Sequence, residues 1–173
     1  MHDPKMYDPR QHLIVALDVS SAAEAQKIVA AVGDSASTYK VGMQLFTAEG
    51  PRVVRDLVSS GRRVFLDLKY HDIPTTVAAA MREASELGAG MVTVHASGGG
   101  KMLRAAVDAA RSVSPSLMVL GVTVLTSLDD EDLDKIGIRA RVVDQVLRLG
   151  ALALSSGCHG VVASALEASE LRS

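Results

Sequence analysis

The feature that most constrains this chain is a spacing. Short apolar or β-branched runs begin near positions 13, 38, 64, 91 and 117, so successive starts differ by 25, 26, 27 and 26 residues. Each run ends in polar residues and gives way to a stretch with apolar positions three and four apart, such as Ala25, Ile28, Val29 and Val32, or Val53, Val54, Leu57 and Val58. A unit of that length holds one strand, one helix and the two turns that join them. Strands separated by helices must run parallel, with helices covering the sheet, because a parallel neighbour can be reached only by a crossover. The expected strands are Leu13 to Leu17, Thr38 to Gly42, Val64 to Leu68, Met91 to Val94, Leu117 to Val124 and Gly160 to Ala163. Ser21-Ala22-Ala23-Glu24 has the pattern of a capping box for the first helix, and Gly33, Gly61 and Gly88 stand where helices should stop.

Counting units sets a puzzle. Six βα units fit in 173 residues, whereas a (β/α)8 barrel has eight and runs to about 250 residues, rarely under about 200. A second capping box, Ser164-Ala165-Leu166-Glu167, opens a helix from Ala165 that meets the end of the sequence at Ser173. Domains end in linkers and not inside helices. The expectation is therefore an α/β chain, a (β/α)8 TIM barrel of which about six units are present, truncated at its C-terminal side. Residues 1–12 form an N-terminal extension and 13–173 the incomplete barrel. Strands one and six would then be open edges. The alternative is a complete six-stranded doubly wound sheet, which length alone favours.

Composition narrows the partners. Eighteen basic and twenty acidic residues leave a net charge of -2, too balanced for the positive field that nucleic acid requires. Aromatics are 3% with no Trp, which nearly excludes base-stacking platforms and sugar-stacking faces. Cys158 stands alone, so neither an internal disulfide nor a Cys-rich zinc site is available. Met1-His2-Asp3-Pro4-Lys5 lacks the apolar core of a signal peptide, and no apolar run approaches the ~20 residues of a membrane span. The reading is a cytoplasmic protein without membrane or nucleic-acid partners.

Function in parallel α/β folds gathers at the carboxyl ends of the strands, and here those ends are charged. Strand one ends in Asp18, strand two carries Lys40, and strand three runs through Asp67-Leu68-Lys69 into Tyr70-His71-Asp72. Alternation along a strand puts Asp67 and Lys69 on one face and Leu66 and Leu68 on the other. The leucines suit the helix side, so the two charges face the interior, where an unpaired charge costs several kcal/mol. Asp-x-Lys on an arbitrary strand is usually a satisfied ion pair; four charges at three successive strand ends make a preorganised array instead. Such an array can set a carboxylate against an anionic substrate group and offer an ammonium as proton donor to a carbon.

The segment Asp67-Leu68-Lys69-Tyr70-His71-Asp72-Ile73-Pro74-Thr75-Thr76 resembles the signature of the orotidine 5′-phosphate decarboxylases, which complete de novo UMP synthesis. Leu13 to Asp18, Lys40-Val41-Gly42-Met43, Val94-His95-Ala96 and Gly121 to Ser127 match in order and spacing. The resemblance implies cofactor-free, metal-free decarboxylation through a carbanion at C6 of the pyrimidine. It implies Lys69 as proton donor, Asp67 against the substrate carboxylate, Lys40 holding Asp67 and the ribose, and Asp18 on a ribose hydroxyl. Asp72 and Thr76 would reach into the other subunit's site of a homodimer, and Thr126, at the end of strand five, would meet the pyrimidine edge. The family's phosphate-gripping Gln and Arg come from the region of strands seven and eight. No counterpart precedes Ser173, so the chain alone is expected to be weakly active or inactive. Two alternatives stand beside this: a magnesium-dependent phosphosugar decarboxylase or synthase, disfavoured because Lys40 stands where a metal-binding Glu belongs, and a non-catalytic remnant.

Other features take plainer readings. Gly98-Gly99-Gly100-Lys101 lacks Walker spacing and reads as the loop after strand four. His95 reads as a hydrogen-bonded structural residue, His71 as a positioning residue at most, and Cys158 as buried and inert. Asp129 to Asp132 reads as a solvated helix start.

Overall fold

The structure, a computed structural model, describes residues 8, 10 and 12–172. The expected N-terminal extension falls largely outside the described residues. Six strands form one sheet: β1 (Ile14–Ala16), β2 (Thr38–Gly42), β3 (Arg63–Tyr70), β4 (Met91–His95), β5 (Met118–Val122) and β6 (Gly160–Val162). The helices are α1 (Ala22–Val32), α2 (Met43–Glu49), α3 (Arg52–Ser59), α4 (Pro74–Glu86), α5 (Gly99–Val113), α6 (Asp130–Lys135), α7 (Val142–Ser155) and α8 (Ala168–Arg172).

Strand order decides between the two architectures. Every neighbouring pair is parallel and the order is β1-β2-β3-β4-β5-β6. A doubly wound sheet reverses direction partway and carries helices on both faces. Here the chain steps the same way at every crossover, and because such crossovers are right-handed, the helices accumulate on one face. The other face is left to become a barrel interior. This is an arc of a (β/α)8 barrel, and β1 and β6 are its edges.

Burial follows from this layering. Tyr39, Val41, Val64, Leu66, Val92 and Val94 are fully buried, and the register Tyr39↔Val64, Val41↔Leu66 and Leu66↔Val92 puts them in rows beneath the helices. Leu17, Leu45, Val54, Met81, Met102 and Leu103 join them in one continuous core. The alternate positions, including Ala16, Lys40, Phe65, Met91 and Thr93, belong to the interior face. Edges are shorter and wetter than the centre: β1 keeps three residues of the five expected, with Ile14 40% exposed. In β5 the regular strand stops at Val122, although Thr123 still donates its N–H to the Val162 carbonyl at 3.1 Å.

Local signals behave as the residues require. Ser21 Oγ accepts from the Glu24 N–H and opens α1, while Gly33, at φ 55, closes it in a conformation costly for any residue with a Cβ. At Ser164 the reciprocal box forms, with Leu166 N–H donating to Ser164 Oγ and Ser164 N–H to Glu167 Oε2. It opens a 3-10 turn over Ala165–Glu167 and only then α8, not one continuous helix. Asp129 caps α6 in the same reciprocal way with Asp132, so the acidic run is a helix start. The glycine stretch 98–100 is a second difference: Gly99 and Gly100 already belong to α5. No helix among the described residues is long and apolar enough to cross a membrane.

Candidate active site

The interior end of β3 carries the site. Asp67 Oδ2 and Lys69 Nζ lie 2.8 Å apart, with side chains 13% and 24% exposed. The pairing expected from burial is therefore made, but the strand does not reach it by simple alternation. The β3–β4 ladder runs Phe65↔Met91, Leu66↔Val92 and then jumps to Tyr70↔Val94. Three residues, Asp67, Leu68 and Lys69, thus face a single β4 residue, Thr93. Within this bulge Lys69 has φ 51, the one positive value at a non-glycine among the described residues. A left-handed backbone costs a residue with a Cβ about 1–2 kcal/mol, and bulges of this kind re-aim side chains at functional sites.

Thr93 accommodates the bulge. It is fully buried. Its Oγ1 accepts the Lys69 backbone N–H at 2.9 Å and donates to Asp67 Oδ1 at 2.9 Å. Each Asp67 oxygen then has its own donor. Thr93 was not among the residues singled out from sequence; an uncharged Thr in an apolar run gives no signal until the register is known.

A second pair lies alongside. Lys40 Nζ donates to Asp18 Oδ1 at 2.7 Å, with side chains 22% and 61% exposed. Gly42 is the register partner of Asp67. A Cβ there would meet Lys40 Nζ at 3.3 Å and Asp18 Oδ1 at 3.4 Å, so the glycine lets the Lys40–Asp18 pair lie over the sheet next to the Asp67–Lys69 pair. The four charges expected together are thus brought to one region as two discrete pairs. The Lys40–Asp67 contact that the resemblance implies is not formed; Lys40 closes on Asp18.

The remaining predicted residues sit on the rim. Asp72 is exposed, with Oδ1 accepting the Ile73 N–H at 2.6 Å, and Thr76 is exposed in the first turn of α4. Thr126 is exposed in a turn four residues beyond β5, not at the strand end. The His71 and His95 rings lie 5.2 Å apart. Burial, then the neighbouring His71 and Lys69, push the His95 imidazole below its ordinary value of 6.5, which favours the neutral ring. Cys158 is buried and desolvation raises its thiol to about 11. Among the described residues no three His, Cys, Asp or Glu side chains converge as a metal ion would require.

Known proteins share this arrangement of elements. Residues 11–173 match the family described as orotidine 5′-phosphate decarboxylase / HUMPS. The chain belongs to that family. It is 48% identical over 164 residues to the orotidine 5′-phosphate decarboxylase of Hydrogenovibrio crunogenus, covering 95% of this chain and 70% of that protein. It is 51% identical over 160 residues to that of Laribacter hongkongensis, covering 92% and 66%. The chain thus spans about two thirds of the length of these decarboxylases. The crystal structure of orotidine 5′-phosphate decarboxylase from Lactobacillus acidophilus superposes with a TM-score of 0.87 at 38% identity, over 94% of this chain and 75% of that one. These relatives carry the decarboxylase name, and the magnesium-dependent alternative finds no support among them.

Proposed function

We propose that this chain carries the orotidine 5′-phosphate decarboxylase reaction, conversion of the nucleotide to UMP with loss of carbon dioxide and without a cofactor. The observation that supports it best is the Asp67–Lys69 pair, held on the interior face by Thr93 and flanked by Lys40–Asp18. In this reading the substrate carboxylate at C6 comes to rest against Asp67. The C6–carboxylate bond breaks, its electron pair stays on C6, and the Lys69 ammonium delivers a proton there. Fixed charges perform this without reorganising during the reaction. Crowding of two carboxylates raises the ground state, which adds to any stabilisation of the carbanion.

The second pair suits the sugar. Lys40 and Asp18 offer a donor and an acceptor 2.7 Å apart, a spacing at which vicinal hydroxyls can insert on both. Thr126, on its exposed turn, is the residue assigned to the pyrimidine edge. Exposed Asp72 and Thr76 are free to reach a neighbouring subunit, and the working unit is read as a cytoplasmic homodimer in which they complete the partner's site.

The test incubates the chain with orotidine 5′-phosphate and follows UMP by chromatography, with Lys69→Ala as the blank. Slow formation of UMP above the blank is expected. Equal signals from the two proteins would overturn the proposal and favour a non-catalytic remnant.

A further inference from the structure

We propose that Thr93 is a positioning residue for the decarboxylation, fixing both members of the Asp67–Lys69 pair through a single hydroxyl. The inference rests on the function proposed above. It starts from a backbone problem: the bulge takes the Lys69 N–H out of the regular ladder between β3 and β4, and a backbone amide left without a partner inside a protein is costly. Thr93 stands at the one β4 position opposite the bulge and supplies Oγ1 as acceptor, at 2.9 Å.

The same oxygen still carries its proton, and that proton is committed to Asp67 Oδ1, 2.9 Å away. The direction of both bonds is therefore fixed. An amide N–H can only donate and a carboxylate oxygen can only accept, so the hydroxyl takes the first bond as acceptor and makes the second as donor. Lys69 Nζ closes the loop on Asp67 Oδ2 at 2.8 Å. The ring Thr93 hydroxyl, Asp67 carboxylate, Lys69 ammonium and Lys69 amide ties the left-handed backbone at φ 51 to the position of the reacting groups. Complete burial of Thr93 removes water as a substitute for the hydroxyl.

Substrate contact is not needed for this role, so its signature differs from that of a binding residue. Thr93→Val keeps the shape and the β-branch and removes only the hydroxyl. It should lower kcat by about 10–100-fold, the range for losing a hydrogen bond to a charged group in a preorganised site, while KM stays within about threefold. Thr93→Ser restores the hydroxyl and should return kcat to within about threefold of the parent. Independently of turnover, native-state exchange of the Lys69 amide should accelerate at least about tenfold in Thr93→Val and be protected again in Thr93→Ser. Thr93→Val turning over at the parent rate, Thr93→Ser as impaired as Thr93→Val, or an unchanged Lys69 amide would each overturn the proposal. If the parent chain yields no UMP, it is the proposed function that fails, and the amide measurement alone then decides whether Thr93 holds Lys69. Should Thr93→Val not fold, Thr93→Ser against the parent in the amide measurement decides the point, with lost protection overturning the role.

Discussion

Lys69→Ala tests the energetics of the central pair and not only its chemistry. Two unit charges 2.8 Å apart attract by about 6 kcal/mol at an effective dielectric of 20, and much of that offsets the loss of their hydration. Exposed pairs net about 0–1 kcal/mol, whereas removing one member of a fully buried pair costs about 3–5. With side chains 13% and 24% exposed, the pair lies nearer the buried limit, but Thr93 continues to donate to Asp67. Alanine also keeps a Cβ at the left-handed position, so backbone strain is unchanged between the two proteins. The expected cost is about 2 kcal/mol, or roughly 4–8 °C in melting temperature for a chain of this size. Asp67→Ala should cost a similar amount by stranding the ammonium. The double variant removes the stranded charge together with its partner, so its loss should stay near about 2 kcal/mol instead of the about 4 that independent effects would give. Urea denaturation of the four proteins measures this, and a coupling below about 0.5 kcal/mol would refute the view that these groups hold one another.

Three further outcomes follow from the same geometry. The His95 imidazole has a folded-state value below the ordinary 6.5, so between those two values the unfolded chain binds more protons; stability should fall as pH drops through about 6.5, and His95→Gln should flatten that limb of a urea-midpoint profile. A thiol raised to about 11 is thiolate in roughly one molecule per thousand at pH 8, so Cys158 should resist iodoacetamide in the folded chain and react readily in urea, with fast labelling of the native protein contradicting its burial. Gly42→Ala meets no backbone obstacle at φ -93, but its methyl would meet Lys40 Nζ at 3.3 Å, so the ammonium must give by a few tenths of an ångström, while Asp18 Oδ1 at 3.4 Å is only touched; stability should change by less than about 1 kcal/mol while KM for the nucleotide rises several-fold, and an unchanged KM would argue against a sugar site over Gly42.

The sheet was readable from spacing because each βα unit carries its own period and its own stops. Gly33 and Ser21 are local decisions, made by φ and by one orphan amide, and the sequence shows them. The choice between barrel and doubly wound sheet was not local: nothing in a single unit says on which side the next strand will lie, and only the ladder order resolves it. Asp67 and Lys69 were legible because burial of a charge demands a partner, and Asp18 and Lys40 because they stand at the ends of neighbouring parallel strands. Their pairing was less so. Lys40 could have turned to Asp67 or Asp18, and no local pattern in the sequence decides between the two. The bulge was invisible, since Asp67-Leu68-Lys69 reads as a regular alternation, and with it went Thr93, whose importance comes from standing opposite the bulge.

The strand order has a kinetic consequence. Because every strand lies beside the one made just before it, each new pairing joins segments no more than about 40 residues apart, from Ile14↔Thr38 at one edge to Leu120↔Gly160 at the other. The entropy of closing such loops grows only with the logarithm of their length. Such a chain can add strands in the order in which a ribosome delivers them, with the β3 bulge formed only when β4 emerges and brings the hydroxyl that stabilises it.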